Sequence, residues 1–429
     1  MPPVTETPQQ PGFDVPLASA GQLGDGFISE LGKLRELDPI HWSEASRCWL
    51  VTQHADIDDA LQGRFPLSNK RLVEIGLGAI PAADRCREFP TMMQYMPNWI
   101  IDLDAPEHTR QRKLLVKAFN KKAVDAVRPF VRQRVETLLD KLEAQPEIEF
   151  NEEIARQLPG SVILKLIGLP QEHLSMLRAW SNGLQTGVGV PFADAAALKT
   201  ADQAMAEMNA VLIPEIEDRR TRPRDDLLTS LLQAVEDGES LSRDEMLGSL
   251  HVLIVAGHDT TSNTMSLGLA ALAKNPSAWD YLYQHPDQSL DVCLELMRYI
   301  AMSTSQPRIA IRDFDWHGKT VRRGDIVFLM LAAGNRDARV FADPERIDPR
   351  RNNEKSMVFG PGLHHCIGHL LAKMQITEFF EALVQRFESA QILDEPLKFM
   401  PQVAFRGLYE LNVRMKHRSR TENQTQRPK

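Results

Sequence analysis

Apolar residues recur at helical spacing along most of this chain. The longest stretch with this pattern extends from about residue 106 to residue 144. Its apolar positions include Leu114, Leu115, Ala118, Phe119, Val124 and Val127. Residues at such spacing share one face of an α-helix. The same pattern predicts further helices at about 153–167, 171–184, 196–217, 224–236 and 242–274.

Strand-like patterns are fewer and shorter. Gly318 and Gly324 mark turns between two of them, and residues 407–413 alternate as a strand does. The other short runs that predict strands are 49–52, 308–311, 320–322 and 326–330. The chain is therefore expected to be mainly α with a small β subdomain.

The middle of the chain contains no linker rich in proline, glycine or serine, so we expect one domain from residue 16 to 416. Residues 1–15 and 417–429 are polar, and both segments are expected to be disordered, the second as a basic tail.

Composition narrows the class of protein. The formal net charge of −8 argues against general nucleic-acid binding. No run of 18 apolar residues and no signal peptide is present, so we expect a soluble, cytoplasmic protein. The four cysteines, Cys48, Cys86, Cys293 and Cys366, lack the C-x-x-C spacing of zinc ribbons and iron–sulfur sites, which favours a reducing compartment.

Cys366 stands in a glycine-rich segment, residues 359–368, that leads into a helical pattern. Backbone N–H groups and a helix N-terminus near a cysteine favour its thiolate, which is a good metal ligand. The glycines are expected to leave room for a large, flat group against the backbone.

This segment resembles the haem-ligand loop of the cytochrome P450 family, with Phe359, Gly362, Cys366 and Gly368 at the family's spacing. The resemblance spans about residues 40–415. It implies the cytochrome P450 fold, a haem b (iron protoporphyrin IX) cofactor and Cys366 as the axial ligand of its iron. Thiolate ligation favours O–O cleavage, so the implied activity is that of a monooxygenase.

A second motif, residues 255–261, lies within a long apolar helical pattern, roughly residues 246–273. Ala256 and Thr260 are one turn apart on one face, and Gly257 is expected to remove bulk beside them, leaving a polar notch. The motif resembles the family's distal helix, which implies that Thr260 hydrogen-bonds dioxygen at the haem and that Asp259 relays protons. The alternative is a tolerated polar patch or a capping pair at a helix break.

Two further sets of residues match the family. Glu295 and Arg298 fit its Glu-x-x-Arg pair, with Arg346 expected as the third member of a buried ion-pair network that holds the cysteine loop. The haem propionates need cationic partners, and the resemblance places these at His108, Arg112, Arg308 and His364, with Arg110 and His365 as weaker candidates.

The substrate pocket can be located only through the family's topology. We expect it to be apolar and adaptable, because methionine fills irregular shapes. The same side chains could be ordinary core. The candidates are Met92, Met96, Trp99, Val252, Val255, Ala256, Met302 and Phe405. We therefore expect the substrate to be a hydrophobic or amphipathic small organic molecule.

No flavin, nicotinamide or iron–sulfur motif follows Cys366, so electrons are expected from an external ferredoxin and its reductase. Lys113, Lys117 and Lys121 belong to a dense basic stretch of an otherwise acidic chain and are expected to steer an acidic ferredoxin. The alternative is a solvated helix face.

Three other functions compete with the monooxygenase. A peroxide-driven enzyme is disfavoured by the Asp259–Thr260 pair, and a haem sensor or carrier is disfavoured by the lack of a signalling domain. A non-haem metal site would use His108, His251, His364 and His365, which have no compact ligand spacing.

Overall fold

A computed structural model describes residues 13–70, 76–77, 80–188 and 194–418. Most of the two terminal segments predicted to be disordered, 1–12 and 419–429, therefore lies outside the described residues, as do 189–193. The helices are α1 Ala20–Leu23, α2 Asp25–Leu37, α3 His54–Leu61, α4 Ala82–Glu88, α5 Pro90–Tyr95, α6 Glu107–Ala118, α7 Lys121–Ala144, α8 Gln157–Ile167, α9 Leu174–Val188, α10 Ala195–Thr221, α11 Leu227–Gln233, α12 Arg243–Ala273, α13 Pro276–Gln284, α14 Ser289–Ile300, α15 Leu331–Gly334 and α16 His369–Arg386.

The strands form three small sheets. They are β1 Ile40–Ser43, β2 Cys48–Val51, β3 Leu67–Ser68, β4 Glu147–Glu149, β5 Gln306–Ala310, β6 Phe314–Trp316, β7 Lys319–Val321, β8 Ile326–Leu329, β9 Phe387–Ile392 and β10 Asn412–His417. The largest sheet has the order β1-β2-β8-β5-β3, in which only β2 and β8 run parallel. A second has the order β4-β10-β9, and β6 pairs with β7. The prediction of a mainly α fold with a small β part is confirmed.

Helix α12 is the central element. Its N-terminus is fixed by a capping box, in which the Ser242 side chain accepts from the Glu245 N–H while the Glu245 carboxylate accepts from the Ser242 N–H. Apolar side chains on most faces of α12 are buried among α8, α9, α14 and α16. A helix buried on all sides gains its stability from packing, so it tolerates the glycine and threonines of residues 255–261.

Several element boundaries differ from the sequence prediction. The helical pattern of 106–144 is two helices, because the chain breaks at Phe119 and Asn120, and the Asn120 side chain caps α7 by accepting from Ala123 N at 3.1 Å. The expected strand at 407–413 begins only at Asn412, since the preceding residues fold back and bridge Phe399 to Leu408.

The main apolar cluster surrounds α12. Of two smaller clusters, one packs α2 and the start of the described chain, including Val15, against the largest sheet, and the other packs α3 against the same sheet. At the other end His417 is still part of β10. Within the described ranges, no helix combines the length and the apolar character that crossing a bilayer requires.

Candidate active site

Cys366 lies in a tight loop directly before α16. Its N–H donates to the Phe359 carbonyl at 2.8 Å, and its own carbonyl accepts from His369 Nδ1 at 2.9 Å. Phe359 is partly buried against the main core, and the Lys373 ammonium lies 5.3 Å from its ring centre. The loop therefore holds the sulfur at a fixed position between the core and the N-terminus of α16.

The glycines of this loop serve the protein backbone. Gly362 has φ +83°, and a Cβ there would overlap the Leu61 carbonyl at the end of α3. Gly362 thus permits a left-handed turn packed on α3, and the expectation that it makes room for a flat ligand is wrong. Gly368 is different, because a Cβ there would lie 3.9 Å from the Cys366 sulfur, so this position borders the thiol.

The surroundings of Cys366 do not favour its thiolate, contrary to the prediction from the sequence. Burial raises the pKa of the Cys366 thiol, although a hydrogen bond from the Gly368 backbone and the nearby Arg112 charge both lower it. Desolvation penalises a buried thiolate more than these donors stabilise it. The loop alone does not favour the thiolate, so a cation at the sulfur is needed to hold it.

Four side chains predicted for the propionates converge beside this loop. The His108 and His364 rings have centroids 4.0 Å apart, and Arg112 Nη2 donates to the His365 carbonyl at 2.5 Å. Arg308, on β5, donates to the Gln306 side-chain oxygen at 2.9 Å, and that amide lies against Gly360 of the loop. The structure brings all four to the Cys366 loop.

His108 is the most informative of this group. It is fully buried, and neither ring nitrogen has a hydrogen-bond partner among the described residues. Burial, with a smaller effect of the Arg112 charge, lowers the pKa of His108 to about 4. A neutral imidazole with an unsatisfied N–H is suited to donate to an anionic group.

On α12, the predicted notch exists, but Gly257 is not part of it. Thr260 Oγ1 donates to the Ala256 carbonyl at 2.6 Å, and Ala256 is exposed although most of α12 is buried. A Cβ on Gly257 would instead meet Ile163 Cδ1 at 3.1 Å. Successive helical residues are about 100° apart, so Gly257 faces α8 and allows the two helices to approach.

Asp259 is held by residues that the sequence did not indicate. Ser181 Oγ and Gln185 Nε2, both on α9, donate to Asp259 Oδ2, and His258 Nδ1 lies 3.1 Å from Asp259 Oδ1. Burial raises the pKa of Asp259, but these donors together hold it below its usual value. The carboxylate thus joins α12 to α9.

The ion-pair network around Glu295 corrects a second prediction. Glu295 and Arg298 are fully buried and form a two-point contact at 2.7 and 2.8 Å. The third member is Arg351, whose Nε donates to Glu295 Oε1 at 3.0 Å. Arg346 was predicted, but its side chain is exposed, and only its main-chain carbonyl takes part, accepting from Arg298 at 3.2 Å.

The expected pocket residues divide into two groups. Val255, Ala256, Met302 and Phe405 have accessible side chains, and Phe405 is 40% exposed. The others are buried among their neighbours in the main core. These buried side chains are Met92, Met96, Trp99 and Val252. For the second group the alternative of ordinary core fits the structure.

The predicted docking lysines are paired with acidic side chains. Lys113 lies 3.7 Å from Asp237, Lys117 contacts Glu236, and Lys121 contacts Asp125. The first two acids belong to the turn before α12, so part of the basic charge of α6 is neutralised within the chain.

The non-haem alternative is not supported by the geometry. His251 is buried on α12, and its Nε2 lies 2.7 Å from the side-chain oxygen of Asn209. The other three histidines lie at the Cys366 loop or on α6. Among the residues that the structure describes, no group of three potential metal ligands from His, Cys, Asp or Glu occurs.

Comparison with known proteins defines the family. The cytochrome P450 family model matches residues 191–409. The polyketide biosynthesis cytochrome P450 PksS of Bacillus subtilis (strain 168) is 30% identical over 396 residues, 90% of this chain and 95% of its own. The solved structure of PksS has a TM-score of 0.82 at 29% identity, covering 93% of this chain and 99% of its own.

Two other relatives carry enzymatic names. Mycinamicin IV hydroxylase/epoxidase of Micromonospora griseorubida is 31% identical over 403 residues, 92% of this chain and 96% of its own. Steroid C26-monooxygenase of Mycolicibacterium smegmatis (strain ATCC 700084 / mc(2)155) is 30% identical over 387 residues, 86% of each chain. The chain belongs to the cytochrome P450 family. It has the P450 fold, its cofactor is haem, and it is a P450 monooxygenase.

The residues present fit that cofactor. Burial raises the pKa of the Cys366 thiol more than the half-buried Arg112 guanidinium lowers it, and the two unpartnered nitrogens of His108 lie beside the same loop. Iron would supply the cation, and a propionate would supply an acceptor for these nitrogens. Burial lowers the pKa of Arg112, and the nearby Cys366 partly offsets this effect.

Proposed function

We propose that this P450 inserts one atom of dioxygen into a C–H or C=C bond of a hydrophobic or amphipathic small molecule, using two electrons from an external carrier. The proposal rests on one arrangement of side chains. The loop that holds Cys366 lies beside the unpartnered ring nitrogens of His108, and the central helix α12 has an accessible face with Ala256 and Thr260. When bound, thiolate-ligated haem supplies the activation of dioxygen.

We assign the cofactor contacts as follows. Cys366 would ligate the haem iron, and Phe359 and Gly368 would border it. His108, Arg112, Arg308 and His364 would hold the propionates, because their side chains meet at the same loop. The network of Glu295, Arg298 and Arg351 supports the loop indirectly. Arg298 donates to the main-chain carbonyls of Asn335, Pro344 and Arg346, which fixes the chain that precedes the loop.

Thr260 and Asp259 handle protons in this proposal. The Thr260 hydroxyl is oriented by its bond to the Ala256 carbonyl, which leaves its lone pairs directed away from the helix. Asp259 is one residue earlier, and its side chain is 16% exposed, so it connects the interior with solvent. A positioned acid next to a hydroxyl can pass protons inward.

The substrate is proposed to lie against the accessible apolar side chains of Val255, Ala256, Met302 and Phe405. Because two relatives are named for mycinamicin IV and for a steroid, mycinamicin IV and steroids form the natural first panel of substrates. One scaffold hosts many substrates, so the panel must be screened on this protein.

A ferredoxin with its reductase is proposed as the electron carrier, and Lys113, Lys117 and Lys121 as part of its docking surface. Lys113 and Lys121 are the more exposed two, and neither is tied to a carbonyl as Lys117 is to that of Val235. K113Q and K121Q together should reduce the salt dependence of electron transfer from a surrogate ferredoxin, whereas K33Q on α2 should not. The same salt dependence in the wild type, in the double variant and in K33Q would refute this docking site.

The deciding experiment is the absorption spectrum of the reduced, carbon monoxide-bound protein. A strongly red-shifted Soret band is expected from thiolate ligation by Cys366. C366H should bind haem but lose that shift, while C293A, at a buried cysteine away from the loop, should keep it. A band typical of histidine or neutral thiol ligation in the wild type would overturn the proposal, and zinc without haem would point to a non-haem site.

A further inference from the structure

The carboxylate of Asp259 is joined to the turn of residues 400–407 through two glutamine side chains. Gln185 Nε2 on α9 donates to Asp259 Oδ2, and Gln402 Nε2 in the turn donates to Gln185 Oε1 at 2.7 Å. Three segments that are far apart in the sequence, the turn, α9 and α12, therefore meet in one line of hydrogen bonds.

The direction of this line is set by the carboxylate at its end. An ionised carboxylate only accepts hydrogen bonds, so Gln185 must direct its NH2 group toward Asp259. The carbonyl oxygen of Gln185 then faces the other way, and Gln402 must present its own NH2 group to that oxygen. The orientation of both glutamines is thus fixed from Asp259 outward, and any change in either glutamine changes the bond that the carboxylate receives.

The turn is itself fixed to the segment that begins at Met302. The Arg406 N–H donates to the Met302 carbonyl at 2.7 Å. The Thr304 N–H donates to the Ala404 carbonyl at 2.9 Å. Met302 and Phe405 are two of the accessible side chains against which the substrate is proposed to lie. A molecule that presses on either side chain therefore presses on the turn that carries the second glutamine.

The turn also packs directly on α12. A Cβ at Gly407 would lie 2.8 Å from the side-chain amide atoms of Asn263, so the backbone of the turn lies close against this side chain. Asn263 follows Asp259 by four residues, which places both on one face of the helix. The two glutamines therefore connect parts of the molecule that are already in contact, and a small displacement of the turn is enough to alter the line.

Ser181 is the natural comparison for Gln185. It lies one helical turn earlier on α9, and its Oγ also donates to Asp259 Oδ2. Ser181 is fully buried, whereas Gln185 is partly accessible and is bonded to the turn. Both side chains anchor the carboxylate, but the bond from Gln185 also continues to the side of the molecule where the substrate is proposed to lie.

We propose that Gln185 is a positioning residue for Asp259 and that, together with Gln402, it couples this carboxylate to the turn beside the substrate. The inference rests on the proposed function of the Asp259–Thr260 pair and deepens it. With the turn in place, the two amides hold Asp259 for the passage of protons toward Thr260. Displacement of the turn loosens this hold, so the delivery of protons depends on the molecule that occupies the pocket.

Backbone hydrogen exchange of the turn, followed by mass spectrometry, tests the link without turnover. Q185L and Q402L each remove the bond between the two glutamines, so the amides of residues 400–407 should exchange at least about threefold faster. S181A removes a donor to Asp259 but keeps that bond, so its turn should exchange as in the wild type. Wild-type exchange in Q185L would refute the link. The result does not depend on the haem ligand, so it remains decisive if the thiolate band is absent and the proposed function fails.

Turnover tests whether the link positions Asp259. With NADH, a surrogate ferredoxin and its reductase, Q185L and Q402L should each lower kcat for dioxygen consumption by about three- to tenfold and leave the KM for ferredoxin unchanged. The double variant Q185L/Q402L should equal Q185L, because Gln402 acts through Gln185, whereas Q402L should lower kcat further in the S181A protein. An additive loss in Q185L/Q402L, or a wild-type kcat in Q185L, would refute the coupling.

Discussion

Replacing Arg351 by alanine tests which arginine completes the buried network of Glu295. The Glu295 carboxylate accepts two bonds from Arg298, one from Arg351 Nε at 3.0 Å and one from the Asp348 N–H at 2.8 Å. Because Glu295 is fully buried, water cannot replace a lost donor. The remaining three bonds would have to hold the charge alone.

The magnitudes follow from these contacts. A hydrogen bond to a buried charge contributes about 1.5–3 kcal/mol, so R351A should lower the free energy of unfolding by that amount. E295A should cost more, about 3–5 kcal/mol, because it leaves the buried Arg298 guanidinium with main-chain carbonyls only. R346A should change it by less than about 0.5 kcal/mol, since alanine retains the carbonyl that Arg346 contributes.

Urea unfolding of the three variants, with and without haem, measures this order. The haem content of each variant after expression is the second measurement, and E295A is expected to incorporate little haem. A loss in R346A equal to that in R351A would refute the assignment of Arg351. A fully haem-loaded E295A would show that the network does not hold the cysteine loop.

Three further outcomes are expected. T260A should raise the share of consumed dioxygen that is released as hydrogen peroxide; an unchanged share would exclude a role for its hydroxyl. Burial lowers the pKa of His251 to about 3, so stability present above pH 6.5 should fall as the pH drops toward 3, by at most about 1.4 kcal/mol per pH unit, and H251N should remove this contribution; parallel pH curves would contradict it. Cys86 is exposed, whereas burial raises the pKa of Cys48 and Cys293 to about 12, so a thiol reagent should label Cys86 first; equal labelling of all three would refute this.

Short motifs were readable from the sequence because their members lie on one element. Glu295 and Arg298 are three residues apart on α14, and Ala256 and Thr260 are four apart on α12, so helical geometry alone brings each pair together. The cysteine loop could be recognised because residues 359–368 are continuous in the sequence.

Partners across elements were not readable in this way. Arg346 and Arg351 are five residues apart in irregular chain, and the turn in which the Arg351 N–H donates to the Asp348 carbonyl decides that Arg351 folds back to Glu295. The periodicity of apolar residues does not predict such a turn. The acidic residues that pair with Lys113 and Lys117 could not be predicted either, because they are more than a hundred residues away in the sequence.

The surroundings of Asp259 show why such partners matter for function. Asp259 was recognised within its motif, but its chemistry depends on Ser181 and Gln185 of α9 and on the neighbouring His258. The two donors from α9 hold the Asp259 carboxylate in place and help to keep its pKa below the usual value, against the effect of burial. The charge of Asp259 is therefore decided by an element that its own motif does not contain.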